Sequence, residues 1–237
     1  MESKNEKTSI EVQRAVDQAM NEFFQEQKKD KVERYRRLNA MAKTGQIVFA
    51  GSSLMEQFPV NEMMQNTGVT LPYAIYNRGI GGFTTTEMME VLDVVVTDLK
   101  PKYLFINIGT NDLNGPMYRR EELIGNYRRI LQKIRVALPD VKIFMMAYYP
   151  MCPKVGEKVP YMKNILMFRN TARVNEANEG VKALAEELGH TYLDFNSGIV
   201  DENGDVKEEY SIEGMHMYAN GYEQVLKQML PVLQELK

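Results

Sequence analysis

Two hydrophobic rhythms divide the chain. Between Thr8 and Ala42 apolar side chains recur at helical spacing, at Val12, Val16, Ala19 and Phe23 and again at Val32, Tyr35 and Leu38. This stretch has no glycine, no proline and mixed charge, a pattern that predicts one or two amphipathic helices. Thr44-Gly45 then reads as the helix stop. Helical stripes usually face a core, so residues 1–44 are expected to be a helical extension packed on the domain that follows. The competing expectation is an arm that pairs with a second copy of the chain, a homodimer.

After Gly45 the rhythm changes to short apolar runs separated by longer amphipathic stretches. Strands are predicted at 46–50 (QIVFA), 73–77 (YAIYN), 103–108 (YLFINI), 141–147 (VKIFMMA) and 191–195 (TYLDF). Helices are predicted at about 53–65, 84–99, 119–138, 163–188 and 218–236, with Pro231 kinking or ending the last. The strands are continuous apolar runs, which suits strands covered on both faces. Strand–helix alternation then predicts an α/β fold for residues 45–237: a three-layer α/β/α sandwich on a five-stranded parallel sheet with right-handed crossovers. The sequence contains no internal repeat and no low-complexity tract.

Charge and composition narrow the class. The 237 residues include 29 Lys+Arg and 32 Asp+Glu, a net charge of −3, so nothing in the balance favours a nucleic-acid partner. The one cysteine, Cys152, excludes an internal disulfide and a cysteine-rich zinc site. No apolar run approaches the roughly 20 residues that span a bilayer. Residues 1–8 are polar and charged, unlike a signal peptide, and the expectation is a cytoplasmic protein without stable membrane insertion.

In a parallel sheet, function gathers where strands end at their carboxyl edge. Four polar or glycine-rich turns fall there: Gly51-Ser52-Ser53-Leu54, Arg78-Gly79-Ile80-Gly81-Gly82-Phe83, Gly109-Thr110-Asn111-Asp112 and Glu213-Gly214-Met215-His216. A serine in a tight strand-to-helix turn presents its hydroxyl at the rim, and its own N–H stands at a helix N-terminus that favours an anion. Ser53 therefore suits a nucleophile whose product is an oxyanion. The same placement also describes a helix cap, a role open to Ser52 as well. Of two histidines, His190 lies at the amino edge of the fifth strand, where a structural or solvated role is expected. His216 lies on the carboxyl side with Glu213 three residues before it, so a carboxylate can hold one ring nitrogen while the other faces Ser53. Gly81 or Gly82 can offer an N–H, and Asn111 a neutral amide, to a tetrahedral intermediate, each such donor contributing about 3–4 kcal/mol. Asp112 reads as a helix cap.

Taken in order, these blocks resemble the SGNH hydrolases, also called the GDSL esterase/lipase family, from about residue 46 to about 230. The general look is most similar to bacterial relatives of the platelet-activating-factor acetylhydrolase type. The resemblance implies the flavodoxin-like SGNH hydrolase fold, with Ser53 as nucleophile, His216 as base and Glu213 as third triad member. It also implies an oxyanion hole from the Ser53 N–H, the Gly82 N–H and the Asn111 side chain; Gly82 is preferred because the family glycine immediately precedes the position of Phe83. Three departures stand out. Ser52 replaces the aspartate of the GDSL name, Phe83 replaces a frequent aspartate and makes the pocket rim more apolar, and Glu213 is one methylene longer than the family aspartate. A neighbouring carboxylate or a backbone carbonyl is the alternative orienter of His216.

The function implied is an ester hydrolase acting on small acyl esters through a Ser53 acyl-enzyme: short-chain or carbohydrate acetyl esters, with lipid esters as a further class. It needs no metal or organic cofactor, and its partner is a small-molecule ester. Two other readings compete, a catalytically silent scaffold on the same fold and a flavodoxin-like ligand-binding domain. Met55, Met63, Met64, Met88, Met89, Met215 and Met217 fall near the proposed rim, where core filling is expected ahead of an adaptable acyl pocket. The proline-rich stretch 148–160 is expected to wall the site.

Overall fold

The computed structural model describes residues 2–237, with side chains described from Ile10 onward. Five parallel strands form one sheet in the order β2-β1-β3-β4-β5. They are β1 (Ile47–Gly51), β2 (Ile75–Gly79), β3 (Tyr103–Asn107), β4 (Lys142–Met146) and β5 (Thr191–Leu193). β1 and β3, flanked on both sides, are buried at all five positions. Successive side chains point to opposite faces, and each face is covered. Val48, Ala50, Leu104 and Ile106 pack into one apolar layer, Ile47, Phe49, Tyr103 and Phe105 into the other. Double coverage explains why the strands read as unbroken apolar runs.

The helices are α1 (Glu2–Asn39), α2 (Ser53–Glu56), α3 (Val60–Asn66), α4 (Thr85–Glu90), α5 (Leu92–Val95), α6 (Arg120–Ala137), α7 (Pro153–Gly156), α8 (Met162–Phe168), α9 (Thr171–Leu188) and α10 (Ala219–Gln234). Three predicted helices are shorter or broken. Pro59 separates α2 from α3. The β-branched run from Val94 to Thr97 ends regular helix beyond α5, where a 3₁₀ turn takes over at Thr97–Leu99. Asn170 interrupts 163–188 because its side chain accepts the Arg173 N–H at 3.0 Å and caps α9 afresh. Pro231, expected to kink or end the last helix, sits inside α10. Proline loses the bond to the carbonyl one turn back and crowds that carbonyl, but the buried Leu226, Met229 and Leu233 hold the helix on its layer.

The long α1 departs from the expected core-facing stripe. Val12, Val16 and Phe23 are half exposed, at 58, 50 and 56%. Only from Lys28 onward does the helix engage the domain, through partly buried Val32 and buried Tyr35. Among the described residues no helix is long and apolar enough to cross a membrane.

The sheet order reverses direction between β1 and β3: one connection runs outward to β2, the other to β4. Ligands in such sheets bind outside the carboxyl ends at that reversal. Ser53 follows β1, the 79–83 turn follows β2 and Asn111 follows β3, so the fold gathers all three there.

Candidate active site

Ser53 is the first residue of α2, and Ser52 is its N-cap. Ser52 makes no side-chain cap; its buried hydroxyl lies 3.4 Å from that of Thr110, tying the first block to the third. At the first helical position the Ser53 N–H has no intrahelical acceptor. Its hydroxyl Oγ stands 2.8 Å from His216 Nε2. These side chains are 163 residues apart in sequence.

A closed loop delivers His216. Residues Ser211 and Met217 pair as an antiparallel bridge, and the Gly214 N–H donates to Ser211 Oγ at 2.8 Å. Gly214 adopts φ +110°, and a Cβ there would stand 2.6 Å from Gly156 Cα, so only glycine fits. Across that contact the Cys152 N–H donates to the Gly214 carbonyl at 2.8 Å. The 148–160 stretch therefore braces the histidine loop by backbone contact. Behind the site, Tyr222 of α10 donates to the Leu54 carbonyl at 2.9 Å, clamping α10 to α2.

Glu213 Oε1 lies 2.5 Å from His216 Nδ1 and accepts the His216 backbone N–H at 3.2 Å. Burial raises the Glu213 carboxyl, but the hydrogen bond and charge of His216 outweigh it and hold the group below the ordinary carboxylate range. Glu213 thus stays ionised where it can fix the ring tautomer. Fully buried Arg169, which sequence reasoning missed, lies against this loop with Nη1 2.8 Å from Met215 Sδ. Burial pulls its guanidinium down to about 10, while the charge of Glu213 opposes the shift.

The 79–83 turn has distinct roles for its glycines. The Gly81 N–H is engaged, donating to Glu56 Oε2 at 2.5 Å. Gly82 stands at φ +74°, and its N–H has no protein acceptor among the described residues. The Asn111 amide donates to the Phe83 carbonyl at 2.9 Å, which leaves its second N–H. Asp112 caps, as expected, but from outside: it accepts the Thr85 N–H at 3.0 Å at the start of α4.

One other expectation changes. Phe83 does not form an apolar pocket rim; it is buried in the sheet-facing layer. Met55, Met64, Met88 and Met217 fill the core, as expected. Burial raises the Cys152 thiol, which keeps it protonated. Two open clefts lie nearby, one of about 620 Å³ between α1 and Gly81-Gly82, the other of about 410 Å³ beside Asn111 and Tyr118. Among the described residues no group of three or more His, Cys, Asp or Glu is arranged to hold a metal ion.

Comparison with known proteins bears on the fold and the family. A protein assigned provisionally as a platelet activating factor from Streptococcus pneumonia superposes with a TM-score of 0.82 at 23% identity, covering 93% of this chain and 99% of that one. A GDSL-like lipase from Bacteroides thetaiotaomicron VPI-5482 gives 0.69 at 19% identity, covering 86% and 97%. An acetylxylan esterase from Geobacillus stearothermophilus gives 0.61 at 15%, covering 83% and 96%. At these identities the likeness is one of fold. In sequence, N-acylneuraminate cytidylyltransferase of Escherichia coli O18:K1:H7 (strain RS218 / NMEC) is 19% identical over 185 residues. That alignment covers 78% of this chain, which spans only 39% of the length of that relative. The family model for GDSL-like lipases and acylhydrolases matches residues 50–224, from the end of β1 into α10. The chain belongs to the GDSL-like Lipase/Acylhydrolase family.

Proposed function

We propose that the protein is a serine esterase that hydrolyses small acyl esters through a Ser53 acyl-enzyme. The observation that carries this reading is the continuous chain from Glu213 Oε1 to His216 Nδ1 at 2.5 Å and from His216 Nε2 to Ser53 Oγ at 2.8 Å. His216 takes the hydroxyl proton as Ser53 Oγ attacks the ester carbonyl, and Glu213 stabilises the imidazolium. Negative charge develops on the former carbonyl oxygen, which the Ser53 and Gly82 N–H groups and the Asn111 amide receive. Collapse breaks the bond to the alcohol, which leaves with the proton from His216. A water molecule, deprotonated by the same ring, then attacks the acyl-enzyme and releases the carboxylic acid, restoring the Ser53 hydroxyl.

Short-chain esters are the first substrates to test, and the fold shared with an acetylxylan esterase adds carbohydrate acetyl esters. Lipid esters form the further class. The test is hydrolysis of p-nitrophenyl acetate and butyrate by the wild type and by Ser53→Ala, with fluorophosphonate labelling followed by peptide mapping. Activity abolished in the variant, with the label on Ser53, is the expected result. Equal rates in the two proteins would reject the proposal.

A further inference from the structure

The turn that carries Gly82 is held from outside the hydrolase core by one face of α1. Tyr35 donates from its hydroxyl to the Gly79 carbonyl at 2.8 Å. One turn earlier, Lys31 pairs with Glu56 Oε1 at 2.9 Å, while the other oxygen of Glu56 receives the Gly81 N–H. One turn earlier again, Lys28 donates to the Gly82 carbonyl at 3.0 Å and pairs with Glu87 at 2.6 Å. Residues 28, 31 and 35 are spaced i, i+3, i+7, so a single helical face meets three successive points of the turn. Glu87 in turn receives the Thr84 N–H at 2.9 Å, so Lys28 joins both ends of the segment from Gly82 to Thr84.

We propose that Lys28 is a positioning residue of the oxyanion hole, holding Gly82 in the left-handed conformation that directs its N–H toward the reacting carbonyl. Glycine populates left-handed and right-handed backbone about equally, so which one Gly82 keeps depends on the groups that hold the turn. Around Gly82 that hold comes from one long backbone bond, the Phe83 N–H to the Ile80 carbonyl at 3.3 Å, and from three side chains: Lys28 on its own carbonyl, Glu56 on the N–H before it, Asn111 on the carbonyl after it. The fit is close, since a Cβ on Gly82 would stand 3.0 Å from Lys28 Cε. The Lys28 side chain is only 16% exposed, which weakens solvent screening of its bonds. An oxyanion donor works by being fixed before charge develops. Losing the Lys28 contact should therefore raise the barrier and leave ground-state binding almost unchanged.

This inference rests on the serine-esterase reading, and the experiment separates the two. The wild type, Ser53→Ala, Lys28→Met and Lys28→Arg are compared on p-nitrophenyl acetate, with thermal unfolding recorded for each. Removing a direct oxyanion donor costs 10²–10³ in kcat, so an indirect support should cost roughly tenfold. Lys28→Met is expected to lower kcat about that much with KM within about twofold. Lys28→Arg, which keeps a charged donor, should recover most of the loss. If Ser53→Ala is inactive but Lys28→Met retains the wild-type kcat, the positioning role is overturned and the esterase reading stands. A kcat loss that tracks a lowered Tm and is not recovered by arginine also overturns it, by assigning Lys28 to folding alone. A fully active Ser53→Ala overturns the esterase reading itself.

Discussion

One oxygen of Glu213 serves His216 twice, meeting ring Nδ1 at 2.5 Å and accepting the backbone N–H of the same residue at 3.2 Å. The glutamate side chain bends back within the three-residue loop and stays on the ring. Glu213→Gln keeps most of the shape and removes the charge that stabilises an imidazolium. It should lower kcat on p-nitrophenyl acetate by about 100-fold or more. A loss under about tenfold would mean that another group orients His216.

The same pair predicts an acid response. Because the folded Glu213 pKa is depressed, its stabilising contribution is present above the unfolded value and is lost as pH falls through the folded one. Urea unfolding of the wild type and Glu213→Gln should differ most near neutrality. The difference should shrink between about pH 5 and pH 3 as the carboxylate protonates. A gap that stays constant over that range would count against an ionised, His-paired Glu213.

Asn111 offers its remaining N–H to the oxyanion, as proposed, while the other holds the Phe83 carbonyl. Asn111→Ala removes a donor used mainly in the transition state. The expected result is a kcat lower by about 10²–10³-fold with a much smaller change in KM. Steady-state kinetics check this, and a change confined to KM would remove Asn111 from the oxyanion hole.

Gly82 cannot carry a side chain without strain, given φ +74° and the nearby Lys28 methylene. Gly82→Ala should destabilise the fold by about 1 kcal/mol or more and depress kcat more than stability alone accounts for. Gly45, also left-handed at φ +75° but with open space around it, provides the control. Gly45→Ala should cost stability and leave kcat unchanged.

Asp112 accepts both the N–H and the hydroxyl of Thr85. Asp112→Ala leaves the first turn of α4 without that acceptor and should cost about 1–2 kcal/mol in denaturant unfolding. An unchanged midpoint would show that Thr84, which caps the same helix in a capping box, suffices alone.

The five strands and their parallel sense follow from local features: runs of buried residues bounded by turns, alternating with helical stretches. The helix breaks are harder to see. Asn170 looks like one polar residue in a long helical pattern, and only its capping bond to Arg173 marks a boundary. Ser53, Asn111, His216 and Glu213 stand out because each lies in a short polar turn after an apolar strand or before a helix. Lys28, Lys31 and Tyr35 do share a helical face, but nothing local says what that face touches. Arg169 is less legible still, since an arginine in a predicted helix normally points to solvent.

Periodicity and turn chemistry act over a few residues, so the chain alone specifies its strands, most of its helices and the turns able to carry an acyl-transfer site. Whether those turns meet is a long-range matter. Ser53 and His216 come together across 163 residues, and Lys28 reaches Gly82 across 54. Such contacts depend on sheet order, on glycine packing between the 148–160 and 211–217 segments, and on the docking of α1. These are properties of the packed molecule, in which a side chain's partners are set by shape and burial instead of by its neighbours in the chain.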